Sequence, residues 1–225
     1  MLGMIDMLFF ELFIKHFPSF MDAMWQTVQI TLFALLFASI LGIIFGLMKV
    51  SHNKLLQSVA NAYIWIIRGT PLLVQIYFVY FGIPMATGIS LTEWNAGIIT
   101  MSLNAGAYMA EIVRGGIEAV DGGQMEAVRS LGLPYKKSMQ KVVLPQALRT
   151  MLPSIINQFI ITLKDTSLLS VIGVRELTMN GKIITANNME TIRMWGIVAI
   201  YYLIVISILT LIANKMETRL AYSKK

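Results

Sequence analysis

The sequence predicts an all-α integral membrane protein, and three observations predict it. The chain of 225 residues is 56% hydrophobic but only 13% charged. Its mean hydropathy is +0.69. Apolar stretches of roughly 20 residues recur along it, the length a helix needs to cross a hydrocarbon core about 30 Å thick. An average soluble domain is about 25% charged, so a soluble enzyme is excluded by composition. Cysteine is absent, which removes disulfides, thiolate metal sites and cysteine nucleophiles together. The formal charge of +6 would suit nucleic acid in a polar chain. In one this apolar it reflects the lysines and arginines that orient membrane helices.

Five spans follow in order. The first, Ala23–Met48, carries no charge. The second, Leu55–Phe81, is interrupted by Arg68 and Pro71. The third, Trp94–Val113, holds Glu111 near its end, and the fourth, Met151–Val174, holds Lys164 and Asp165. The fifth, Met194–Asn214, is uncharged. Residues 1–22 have neither the basic start nor the small-residue cleavage site of a signal peptide. Leu8, Phe9, Leu12, Phe13 and Phe17 there predict a short amphipathic helix at the outer interface. The expected layout is an interfacial segment 1–22, a membrane domain 23–214 with a polar connection 114–150, and a tail 215–225.

Orientation comes from the connections. Lys49 and Lys54, then six cations between Arg114 and Arg149, then the four of the tail fall on one side. The other side receives only Lys15, Arg175, Lys182 and Arg193. Positive residues favour the cytoplasm, so the N-terminus is expected outside and the C-terminus inside.

Ala34, Ala38, Gly42 and Gly46 recur every fourth residue in the first span. Such small-residue stripes let helix backbones approach closely in lipid, within one chain or between subunits. A charge at mid-membrane costs about 2.5–3.5 kcal/mol on insertion scales. Arg68, Glu111, Lys164 and Asp165 therefore either pair, Arg68 with Asp165 for example, or face a wet cavity for a charged or zwitterionic solute. Pro71 removes a backbone donor beside Arg68, and a broken helix at membrane depth is tolerated against protein or a water-filled cavity. Asn104-Ala105-Gly106-Ala107 forms a small, polar patch suited to a lumen or a close helix contact.

The polar connection reads Glu126-Ala127-Val128-Arg129-Ser130-Leu131-Gly132, then nine residues, then Val142-Val143-Leu144-Pro145. This pattern resembles the EAA loop of permease subunits of binding-protein-dependent ABC importers. Arg68-Gly69-Thr70-Pro71-Leu72-Leu73-Val74-Gln75 and Lys164-Asp165-Thr166-Ser167-Leu168 are similar to segments of the polar amino-acid branch of that family. The resemblance implies a type I importer permease fold in a bacterial cell membrane, the inner one where the envelope has two. It implies two permease chains around one path, a pair of ABC ATPase subunits beneath them and an extracytoplasmic solute-binding protein. It also implies that Glu126, Ala127, Leu131, Gly132 and Leu133 form a coupling helix and its end, docked in a groove of the ATPase. Helix-in-groove docking needs a few anchors on one face, and Gly132 can end the helix in a left-handed conformation. Arg68, Thr70, Gln75, Asn104, Glu111, Lys164 and Asp165 are then the candidates for the translocation path of a polar amino acid.

No phosphate-loop, zinc-protease or serine-hydrolase motif is present. The chain is expected to have no catalytic residue, metal or cofactor of its own, ATP being bound by the partner ATPase. His16 and His52 are expected to be structural, and the 16 methionines to fill gaps or face lipid. A self-contained transporter or channel driven by an ion gradient is the rival reading. It would use Arg68, Glu111 and Asp165 as a relay and leaves the loop pattern without a role.

Overall fold

The computed structural model describes residues 2–222, and side chains over residues 7–215. Regular structure among them is helical throughout: α1 (Leu2–Lys49), α2 (Lys54–Arg68), α3 (Leu72–Tyr77), α4 (Ile83–Thr87), α5 (Glu93–Glu118), α6 (Gly122–Ser130), α7 (Tyr135–Ser138), α8 (Leu144–Asp165), α9 (Leu177–Asn188) and α10 (Thr191–Tyr222). Wider π turns join α3 to α4 and α7 to α8, and a tighter 3-10 segment, Thr166–Ile172, follows α8. By length and composition, Met7–Lys49, Glu93–Glu118, Tyr135–Ile172 and Thr191–Lys215 are long and apolar enough to cross a membrane. Lys54–Arg68 and Leu72–Thr87 are apolar enough only when taken together, as a candidate fifth span or a re-entrant loop bent by 101° at its break. The break in that fifth candidate falls at Gly69-Thr70-Pro71, where the missing proline donor was expected to open the helix.

One expectation changes shape. The first 22 residues are not a separate amphipathic helix; α1 runs through them unbroken with Pro18 inside it. Proline removes one helix bond, but packing on both sides of it holds the two stretches in line. Phe13, before Pro18, and Phe20, after it, both stack on Tyr201, with ring centroids 5.4 Å and 4.8 Å away.

The helices distribute over two compact units. The first comprises Met1–Ala34, Leu72–Met101 and Ile160–Leu211. Its core joins Leu12, Phe20 and Ala23 of α1 to Leu177 and Ile184 of α9 and to Met194, Ile197 and Tyr201 of α10. A second cluster joins Ile30 and Ala34 to Ile76, Val79, Ala96 and Leu169. The polar helix α9 begins at Glu176, whose carboxylate accepts from the N–H groups of Thr178 at 2.8 Å and Met179 at 2.7 Å. Such caps satisfy backbone donors that a helix start leaves unpaired.

The second unit comprises Leu35–Pro71, Ser102–Phe159 and Ile212–Lys225. Here the small-residue stripe of α1 meets α5. A methyl group on Gly42 would overlap Met109, and one on Gly46 would sit 2.6 Å from the Val113 Cβ. The stripe is thus used for packing within the chain. The Tyr63 hydroxyl donates to the Leu103 carbonyl at 2.7 Å, and its ring stacks on Phe45 at 4.1 Å. Below them Val113, Ile117, Val143, Ala147 and Met151 form a core that also receives Met125 of α6.

Candidate translocation and coupling sites

The coupling segment is built by its two ends. Asp121 caps α6, its carboxylate accepting from the Gly123 N–H at 2.8 Å. At the other end Gly132 has φ of +86°, the left-handed region that side chains with a Cβ resist. The Gly132 N–H bonds the Arg129 carbonyl at 2.9 Å, and the Leu133 N–H bonds that of Val128 at 3.4 Å. This paired closure is the Schellman motif. It stops the helix sharply and turns Leu131 outward. Met125 packs on the core of the unit, while Glu126 and Ala127 are exposed and Leu131 is 80% exposed. Leu133 is half-buried. The result is a short, rigid helix with one face anchored and the other offering a leucine and a carboxylate.

Arg68 and Glu111 are brought together in the same unit. The Arg68 Nη1 lies 3.9 Å from the Glu111 Oε2, and its guanidinium stands 5.0 Å from the centroid of the Tyr108 ring. Within this unit Glu111 is the carboxylate that Arg68 meets. Glu111 is also bonded by Lys49 and by Arg114, whose Nη2 is 2.9 Å away, and Arg114 in turn pairs with Glu118. The order follows from helix geometry. Asn104, Tyr108 and Glu111 are spaced i, i+4, i+7 on one face of α5, and Arg114 follows Glu111 by three. Tyr108, Glu111 and the two arginines border an open cavity of about 820 Å³, lined on its other side by α8 residues including Ser154 and Asn157. Cavities of roughly 300–1,000 Å³ are the size range of small-molecule sites.

Other expected path residues are placed one by one. Asn104 is buried, and Thr70 is exposed, its hydroxyl donating to the Ile66 carbonyl at 2.9 Å. Gln75, Lys164 and Asp165 belong to the other unit, where Gln75 is buried, Lys164 exposed and Asp165 half-buried. Sequence reasoning missed Lys49, Tyr108, Arg114 and the polar face of α8. The signal was there in the four-residue spacing of Asn104 with Tyr108 and of Thr150 with Ser154. No group of acidic, histidine or cysteine side chains suited to a metal occurs among the described residues.

Residues 38–221 match the family of binding-protein-dependent transport system inner membrane components. The chain belongs to that family. It is similar to the glutamine transport system permease protein of Escherichia coli K12, 38% identical over 90% of this chain and 93% of the relative. It is also similar to the arginine transport system permease protein of Bacillus subtilis 168, 35% identical over 94% of this chain and 96% of the relative. A solved amino acid ABC transporter crystallised with histidines matches with a TM-score of 0.88 and 37% identity, over 93% of this chain and 98% of that one. A methionine ABC transporter matches with a TM-score of 0.80 at 18% identity, which speaks for the fold alone. The all-helical architecture is that of type I ABC importer permeases, and as a membrane component of such a system this chain is a transport subunit.

Proposed function

We propose that this chain is the permease subunit of an ATP-driven importer of polar amino acids in a bacterial inner membrane. In this reading the chain crosses five times, with the N-terminus outside and the C-terminus in the cytoplasm, as the distribution of lysine and arginine favours. The membrane domain runs over 23–214, its connection 114–150 faces the cytoplasm, and 215–225 is a cytoplasmic tail. Two permease chains, identical or similar, enclose the path, a solute-binding protein delivers the amino acid, and a pair of ABC ATPase subunits binds the ATP. No metal or cofactor belongs to this chain.

One observation carries the proposal: α6 ends in a fixed left-handed turn at Gly132 and presents Leu131, 80% exposed, beside Glu126. A large apolar side chain held outside the core by a rigid backbone is an anchor for a partner's groove. Arg68 and Glu111 at the cavity supply the polar lining that a zwitterionic solute requires. Relatives named for glutamine and arginine support the solute class. ATP-driven closure of the ATPase pair would move the α6 helices and shift the spans between inward-open and outward-open. A shift from 1:99 to 99:1 needs about 5.5 kcal/mol of differential binding, which nucleotide and loaded binding protein supply jointly.

The test is uptake of a labelled amino-acid panel by the reconstituted complex with its binding protein. ATP-dependent uptake of polar amino acids is expected. Uptake that runs on an ion gradient alone, by a chain that co-purifies with no ATPase when the neighbouring genes are co-expressed, would favour the self-contained transporter instead.

A further inference from the structure

Arg68 and Glu111 also border a second hollow, of about 470 Å³, formed by α1, α2 and α5 within the same unit. Lys49, Asn61, Ile64 and Trp65 line it too. Asn61, Trp65 and Arg68 are spaced i, i+4, i+7, so α2 turns one row of side chains toward it. Lys49, Arg68 and Arg114 all meet Glu111, and Arg114 also meets Glu118. Three positive charges against two negative ones leave the cluster with one positive charge in excess. That charge is most open at Arg68, whose side chain is 42% exposed against 21% for Lys49 and 31% for Arg114. On the same wall the Trp65 side chain is held outward, the residue being 78% exposed. Lys49 is the last residue of α1, the end that the distribution of lysine and arginine assigns to the cytoplasm. The hollow therefore lies toward the headgroups of the cytoplasmic leaflet.

We propose that this hollow holds the phosphate of an anionic phospholipid from the cytoplasmic leaflet. A guanidinium offers a phosphate two parallel donors, and the Asn61 amide adds further N–H donors. Basic pockets between membrane helices on the cytoplasmic side suit anionic headgroups. Trp65 decides for a lipid over a free anion. An exposed indole belongs at the membrane interface, where its apolar body meets acyl chain and its N–H meets the headgroup region. Inorganic phosphate would have no use for that apolar surface. A zwitterionic headgroup brings a cation of its own, which the excess positive charge repels. The site concerns the lipid around the chain, so it goes beyond the import reading and holds for any solute.

The test places the purified complex that contains this chain in nanodiscs of equal parts phosphatidylglycerol and phosphatidylcholine. The complex is then released, and the lipids that stay bound are identified by native mass spectrometry. Wild type should retain phosphatidylglycerol over phosphatidylcholine by at least about fivefold, the effect of one cation near an anionic headgroup. Arg68→Gln should remove that preference. Asn61 supplies two opposed variants at an exposed position. Asn61→Lys adds a cation to the hollow and should raise the preference by about fivefold more, and Asn61→Glu should lower it by about as much. A melting temperature near that of wild type, measured in phosphatidylcholine alone, reports that each variant has folded. Excess inorganic phosphate should leave the bound phosphatidylglycerol in place. Equal retention of the two lipids by wild type would overturn the site, as would Asn61→Lys and Asn61→Glu variants that retain lipid alike. Displacement of the lipid by inorganic phosphate would overturn it too, because the hollow would then take a free anion.

Discussion

In one unit Glu111 is met by the cations Lys49, Arg68 and Arg114, with its side chain 17% exposed beside a cavity. In the other unit Glu176 is fully buried and is met by neutral donors: the N–H groups of Thr178 and Met179 and the Tyr202 hydroxyl at 2.8 Å. Burial pushes the Glu176 carboxyl above the usual carboxylate range, although those hydrogen bonds pull the other way. The difference teaches how one residue type serves two ends. Neutral donors fix a carboxylate as a structural pin, here joining the start of α9 to α10. Cations around a partly exposed carboxylate leave charge at the edge of a cavity, where a solute can use it.

The comparison breaks first at Glu111. Truncating one partner of a fully buried ion pair costs about 3–5 kcal/mol because it strands the other. Glu111 is half-buried and solvent screens part of that cost, but its loss leaves three cations facing one another. Glu111→Ala should therefore abolish uptake or assembly, read by uptake and by yield of the complex; wild-type uptake by this variant would mean that the three cations face bulk water. Glu176→Gln should act on stability instead. It replaces one acceptor oxygen by an NH2 donor and so leaves a backbone N–H at the start of α9 without its acceptor, at a cost of about 1–3 kcal/mol, and lowers the melting temperature while sparing solute discrimination.

The same variant sharpens the comparison through pH. The folded-state pKa of Glu176 lies above the unfolded one. Its contribution is then fully present below the unfolded value, about 4.3 for an ordinary glutamate, and is lost as pH rises through the raised folded value. Melting of wild type should fall across that window, and melting of Glu176→Gln should fall less. Identical pH slopes would show that Glu176 does not titrate with unfolding.

A smaller effect is expected where the second unit packs. Gly42→Val forces α1 from α5 at Met109, and overpacking of this kind costs about 1–3 kcal/mol. Gly115→Ala, which meets nothing within 4 Å, should leave the melting temperature unlowered. Equal melting of the two variants would show that the close approach at Gly42 is not needed.

Much of this was legible in the sequence, for local reasons. The helix break beside Arg68 follows from Pro71, and the left-handed turn from Gly132 at the end of a loop with a recognisable spacing. What was not legible depends on distant parts of the chain. A partner of Arg68 is 43 positions away (111 − 68) on another helix, where only the register of α5 beside α2 could bring Glu111 to it. α9 carries Thr178, Asn180, Thr185, Asn187 and Asn188, poor helix formers, and is held by the Glu176 cap and by Leu177 and Ile184 in the core. The continuity of α1 across Pro18 needs Tyr201, far along the chain, to hold both sides.

The most direct test of the central claim is ATP hydrolysis and labelled amino-acid uptake by the reconstituted complex, comparing wild type with Gly132→Asp. Forcing a side chain into the left-handed region costs about 1–2 kcal/mol, a local strain too small to unfold the spans, and Gly132 lies outside them. The variant should reach the membrane in normal amount. It should fail to import, and its ATPase should either dissociate or hydrolyse ATP without responding to the loaded binding protein. Binding-protein-stimulated hydrolysis and uptake at wild-type rates in Gly132→Asp would contradict the account, because the α6 turn would then be a passive linker rather than the point where ATP is coupled to the path.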